Sequence, residues 1–93
     1  MRPEFGLLLG YRFINEKSYD KAVEVLAYNV RLYPSSPNTY DSLAEAYLTK
    51  GDRENAIKYY KLAIEKNPGN TDYEKRILES SKSKLKELGI DLK

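Results

Sequence analysis

The chain has 93 residues, and its 16 basic and 14 acidic side chains leave a formal net charge of +2. The two signs are interspersed, so no block of one charge offers the electrostatic footprint that nucleic acid requires. The absence of cysteine and histidine removes disulfides, thiolate nucleophiles, the commonest general base and the usual transition-metal ligands, so neither catalysis, a cofactor nor a metal is expected.

No apolar run nears the roughly 20 residues that span a bilayer, and no signal-peptide pattern is present. The expectation is one soluble domain, cytoplasmic before secreted, without a membrane partner. A globule of this length would bury only about 60 to 65% of its unfolded surface. A stacked repeat suits that limit better.

The first five residues precede any clear periodicity, with Pro3 placed for the first turn of a helix where its missing N–H costs nothing. That helix is predicted to run to about Asn15. Its apolar residues Leu7, Leu8, Leu9, Tyr11, Phe13 and Ile14 surround it almost completely, which calls for burial on more than one side. The turn that follows, Asn15-Glu16-Lys17-Ser18, has no glycine. A second helix is predicted from Tyr19 or Asp20 to Tyr33, with Ala22, Val23, Val25, Leu26 and Val30 facing inward and Pro34 as its stop.

Ser35 or Ser36 should cap a third helix that has Pro37 at its first position. Along it Tyr40, Leu43, Ala44, Tyr47 and Leu48 recur at spacings of three and four, one stripe of a 3.6-residue helix. Gly51 should end it, Asp52 should cap a fourth helix carrying Ala56, Ile57, Tyr60, Ala63 and Ile64, and Pro68 lies just past the end. Thr71-Asp72-Tyr73-Glu74 has the form of a capping box. The fifth helix behind it carries a narrower stripe of Tyr73, Ile77, Leu78, Leu85 and Leu88, with Gly89 as its stop. Its polar outer face suits the terminal element of a stack.

Shifting the chain by 34 residues places Ala22 over Ala56, Leu26 over Tyr60, Pro34 over Pro68, Leu9 over Leu43, Gly10 over Ala44 and Phe13 over Tyr47, an internal repeat. The second copy, with Tyr40, Leu43, Ala44, Tyr47, Ala56, Tyr60, Ala63 and Pro68, resembles the tetratricopeptide repeat family. The first copy is weaker: Gly6 stands where an aromatic is usual, Leu26 replaces the second-helix aromatic and Asn29 the second alanine. The resemblance implies an all-α helical-hairpin solenoid, right-handed, of five helices. Repeat one would cover about residues 3–36, repeat two 37–70 and a capping helix 71–88.

It also implies a protein-interaction or scaffold module whose first helices line a concave groove for a segment of a partner protein. The lining positions are Leu7, Leu8, Tyr11 and Ile14, then Asn38, Asp41, Ser42, Glu45 and Leu48, then Asp72, Lys75, Arg76 and Glu79. Some family members grip the C-terminal carboxylate of a chaperone with a Lys and an Asn at the positions held here by Leu7 and Tyr11. That activity is therefore not implied.

Blander readings cover most other polar and aromatic residues. Asp41 and Glu45, four apart, read as solvated charges rather than a catalytic pair. Tyr40, Tyr47 and Tyr60 read as core, and Tyr19, Tyr33, Tyr59 and Tyr73 as packing between helices with wet hydroxyls, rather than as platforms for stacked bases. Leu7, Leu8, Tyr11 and Ile14 together would form an exposed patch, which predicts a homodimer through the first helix.

A second resemblance, over about residues 6–88, is to the helical tails of bacterial serine hydrolases of the beta-lactamase-like and esterase kinds. On that reading the chain is an accessory part that packs on or dimerises a catalytic domain, and a reading frame starting at Met1 would rule it out.

Overall fold

The computed structural model describes residues 3–90, with side chains from Gly6 onward; Met1 and Arg2 lie outside the described residues. Five helices, α1 (Pro3–Asn15), α2 (Tyr19–Leu32), α3 (Pro37–Lys50), α4 (Arg53–Glu65) and α5 (Asp72–Glu87), make up the fold, with no strand among the described residues. Each boundary follows from local chemistry. Asp52 caps α4 by accepting the Asn55 backbone N–H on one carboxylate oxygen at 3.2 Å and the Asn55 side-chain amide on the other at 2.7 Å. Thr71 and Glu74 complete a reciprocal capping box at the start of α5.

At α3, Ser36 occupies the cap position with Pro37 behind it but makes no side-chain cap bond. The corner between α2 and α3 is held instead by the Thr39 hydroxyl, which donates to the Ser36 carbonyl at 2.7 Å, and by the Tyr40 hydroxyl, which donates to the Pro34 carbonyl at 2.7 Å.

Three helices end in the same crossed pair of backbone bonds, a Schellman motif. At α3 the N–H of Gly51 reaches Leu48 and that of Asp52 reaches Tyr47; at α5 Gly89 reaches Lys86 and Ile90 reaches Leu85; at α1 Lys17 reaches Ile14 and Ser18 reaches Phe13. The motif needs a left-handed residue at its pivot, and Gly51 and Gly89 supply it at φ 97° and 83°. In α1 the pivot is Lys17 at φ 61°, one repeat length before Gly51. A side chain there costs about 1–2 kcal/mol, partly offset because glycine loses more backbone entropy on folding. Lys17→Gly is therefore expected to raise stability by about 0.5–1 kcal/mol in urea melts. No gain would mean that the Lys17 side chain repays its backbone strain.

The helix at the centre is α3, which packs against all four others, whereas α1 and α5 do not touch. On one side of it Leu7, Ala22, Leu26, Leu43 and Ala46 form a buried cluster; on the other lie Ala44, Ala56, Tyr60 and Leu85. Because neighbours surround α3, its buried set exceeds the predicted stripe and includes Thr39, Ser42 and Ala46. The rings of Tyr47 and Tyr59 stack at 5.5 Å and join the two clusters. At the far end the Arg53 guanidinium donates to the Leu88 carbonyl, tying the start of α4 to the end of α5.

In the first hairpin two glycines of α1 lie directly against side chains of α2. A Cβ added at Gly10 would lie 2.5 Å from the Leu26 side chain, and one added at Gly6 would lie 2.7 Å from that of Asn29. Where repeat two has Tyr40 on its first helix and Ala63 on its second, repeat one has Gly6 and Asn29. The larger side chain has changed helices, and the departures from the repeat pattern compensate each other in space.

Candidate functional site

The first helix of each hairpin lies beside the next, in the order α1, α3, α5, and α3 binds both neighbours through polar side chains. The hydroxyls of Tyr11 and Ser42 are 3.2 Å apart, and the Ser81 hydroxyl donates to the Asp41 carboxylate at 2.8 Å. These two contacts stitch the face together. Burial pushes the Tyr11 phenol well above its ordinary range; the Ser42 bond opposes this and the nearby Glu45 and Asp41 reinforce it. Burial likewise raises Asp41, opposed by the Ser81 bond and the charge of Lys84 and reinforced by Glu45.

The sign of the Asp41 effect is testable. Its pKa is raised on folding, so the folded state binds the proton more tightly, and the cost of the charge is fully present above the folded pKa and relieved as pH falls towards the ordinary value of 3.8. Asp41→Asn, which keeps an acceptor for Ser81, should therefore be more stable than the parent at pH 7. The gain should shrink towards pH 4. Thermal melts at the two pH values are the check, and a gain independent of pH would assign the effect to something other than the charge.

Not every predicted lining position opens onto the face. Leu7 is 8% exposed and Ser42 1%; both close the seam between the repeats. Tyr11, Ile14 and Leu48 are half-buried against the two clusters. Asn38, Asp41 and Glu45 are partly open, and Asp72, Lys75, Arg76 and Glu79 are exposed along a shallow cleft of ≈ 570 Å³ on α5.

Leu8, 72% exposed, is what remains open of the four-residue patch expected on α1. The expectation failed because α1 packs on α3 as well as on α2, and the groove-side stripe is consumed by that second contact. Leu9 is 38% exposed, and Tyr73, expected between helices, is 55% exposed. Sequence reasoning missed Ser81, whose signal was its spacing of four residues from both Ile77 and Leu85 on the inner side of α5, and Lys84, three residues beyond Ser81.

Residues 37–70 match the tetratricopeptide repeat family. Together with the five helices and the absence of strand among the described residues, the match makes the fold an all-α, TPR-like helical solenoid. Over 64 residues, 69% of this chain, the sequence is 39% identical to BBSome complex member BBS4 of Bos taurus and covers 12% of that protein. Over a stretch of equal length it is 32% identical to a probable UDP-N-acetylglucosamine--peptide N-acetylglucosaminyltransferase SEC of Arabidopsis thaliana and covers 7% of it. The chain thus spans about an eighth or less of these relatives. The resemblance to serine-hydrolase tails has no counterpart in either of them. Among the described residues no helix is long and apolar enough to cross a membrane and no acidic cluster has the makings of a metal site.

Proposed function

We propose that this chain is a protein-interaction module, and that the α1–α3–α5 face receives a segment of a partner protein. Residues 3–36 act as a degenerate first repeat and 71–88 as the capping helix. The tetratricopeptide match supports the class. The observation that carries the reading is the pattern of exposure on that face: Ser42 and Asp41 are committed to inter-helix bonds, while Leu8, Asn38, Glu45, Lys75, Arg76 and Glu79 keep exposed surface.

Glu45 beside Asp41 makes the middle of the face acidic, while on α5 Lys75 and Arg76 alternate with Asp72 and Glu79, so the fitting segment carries a basic residue against α3 and charges of both signs against α5. On this reading the chain has no catalytic role: histidine and cysteine are lacking, and Asp41, whose pKa burial raises, is engaged with Ser81.

The test is site-specific crosslinking. A photoreactive residue at Glu45 should capture a partner in extracts of the source cell, and one at Lys61 on α4 should not. Leu8→Glu with Glu45→Lys should abolish ordinary pull-down without changing the melting temperature. Capture from Lys61 instead, or pull-down indifferent to the double change, would move the interaction off this face.

A further inference from the structure

An apolar opening lies on the outer side of the first hairpin, away from the α1–α3–α5 face. Leu9 of α1 and Val25, Tyr28 and Leu32 of α2 line a groove of ≈ 620 Å³, with Glu24 and Arg31 on its walls. Tyr28 is 52% and Leu32 43% exposed. These side chains recur at helical spacing on one side of α2, next to the Gly6–Asn29 and Gly10–Leu26 contacts that draw α1 and α2 together. Because α1 packs only on α2 and α3 among the described residues, nothing described covers this side.

The charges identify the occupant. Glu24 and Arg31 are seven residues apart, two helical turns, and so lie on one stripe with Tyr28 between them. Neither takes part in an ion pair among the described residues. A second copy turned by a two-fold axis passing between Ala27 and Tyr28 would run its α2 antiparallel to the first. Glu24 then meets the partner's Arg31, Arg31 meets the partner's Glu24, and the large Tyr28 rests on the partner's small Ala27. Moving the axis onto Tyr28 would set Leu32 against the partner's Glu24 and force a carboxylate onto an apolar side chain, so the charges also choose the register.

We propose that the outer face of α1 and α2 is a self-complementary interface through which two copies of this chain form a reversible two-fold dimer. The dimer is independent of the partner-binding face. Its size sets its strength: two helices about 20 Å long bury on the order of 400 Å² per copy, below the roughly 800 Å² of a standard interface, so a dissociation constant in the tens to hundreds of micromolar is expected.

Sedimentation velocity of the full chain from 5 to ~500 µM is the experiment. The weight-average coefficient should rise towards that of a dimer, and should rise less in high salt because the paired charges are screened. Tyr28→Glu, at an exposed site, should hold the chain monomeric with unchanged circular dichroism. Glu24→Arg and Arg31→Glu should each weaken association about tenfold, while the two together should restore it, since the two-fold places the exchanged charges opposite one another again.

Glu45→Lys should leave dimerisation unaltered, which separates this surface from the proposed partner face. A chain that stays monomeric throughout would assign the groove to another occupant and overturn the proposal. So would association that survives Tyr28→Glu, or a double exchange that fails to restore it.

Discussion

Tyr60→Ala should lower the unfolding free energy by about 3–5 kcal/mol, the range for removing a buried aromatic ring. Tyr60 is 1% exposed, and its cluster partners Ala44, Ala56 and Leu85 are all fully buried. Two of those partners are alanines already at their smallest useful size, and neither can swing inward to fill the space. The cavity term is therefore retained almost in full. For a domain of this length the whole stability is of the order of 5–15 kcal/mol, so a single ring carries a large share of it. Tyr60→Phe keeps the ring and should cost less than about 1 kcal/mol. Urea unfolding of both variants, with unchanged slope, is the measurement; an alanine variant as stable as its parent would mean that α3, α4 and α5 can close over the gap.

The elements that chain chemistry specifies locally are legible in the sequence itself. Gly51, Gly89, Asp52 and the Thr71–Glu74 box act through bonds to residues at most five positions away, and each ends or starts its helix where the sequence places it. Ala56 and Ala63 are fully buried, as the 34-residue register requires.

The rotation of α1 and the centrality of α3 are not legible in the same way, because both depend on contacts between repeats. Periodicity separates an apolar stripe from a polar one, but α1 is apolar nearly all round. Which of Leu7, Leu8 and Leu9 is covered is decided by α3 rather than by α1 itself. Thr39, Ser42 and Ala46 escape the pattern for a related reason: a helix enclosed by four others needs small side chains on every side, and small polar residues look like surface to a hydrophobicity pattern. Ser42 can be buried because Tyr11 offers its hydroxyl a partner.

The same seam shapes the candidate site. Leu7 and Ser42 pack and tie the repeats together, and the face that stays open is narrower and more polar than the lining positions alone imply. The apolar surface that the sequence assigns to the inner side of α1 lies largely on the outer side of α1 and α2, at Leu9, Tyr28 and Leu32. Under the two proposals, the polar inner face and the apolar outer one engage different neighbours, and substitutions on one face should leave the other intact.

Gly10→Leu is expected to cost more than about 3 kcal/mol, at or above the upper end of overpacking effects, because even a lone Cβ would stand 2.5 Å from Leu26. Leu26 cannot step aside: it is fully buried in the cluster with Leu7, Ala22, Leu43 and Ala46. The milder Gly10→Ala sets two effects against each other, a gain of about 1 kcal/mol in helix propensity and a clash of about 1–3 kcal/mol, and the clash should win. Leu26→Ala alone should cost about 2–5 kcal/mol by opening a cavity.

Combined with Gly10→Leu it moves the large side chain from α2 to α1, the same kind of exchange that distinguishes Gly6–Asn29 in the first repeat from Tyr40–Ala63 in the second. The double variant should therefore be more stable than the sum of the single losses by at least about 1–2 kcal/mol, a coupling that residues in contact can show and distant ones do not. Urea melts of the four proteins give the cycle directly. Should the Leu variant fail to fold, Gly10→Ala with Leu26→Val supplies the same cycle at smaller amplitude, and additive losses in both cycles would show that α1 and α2 do not meet at these two residues.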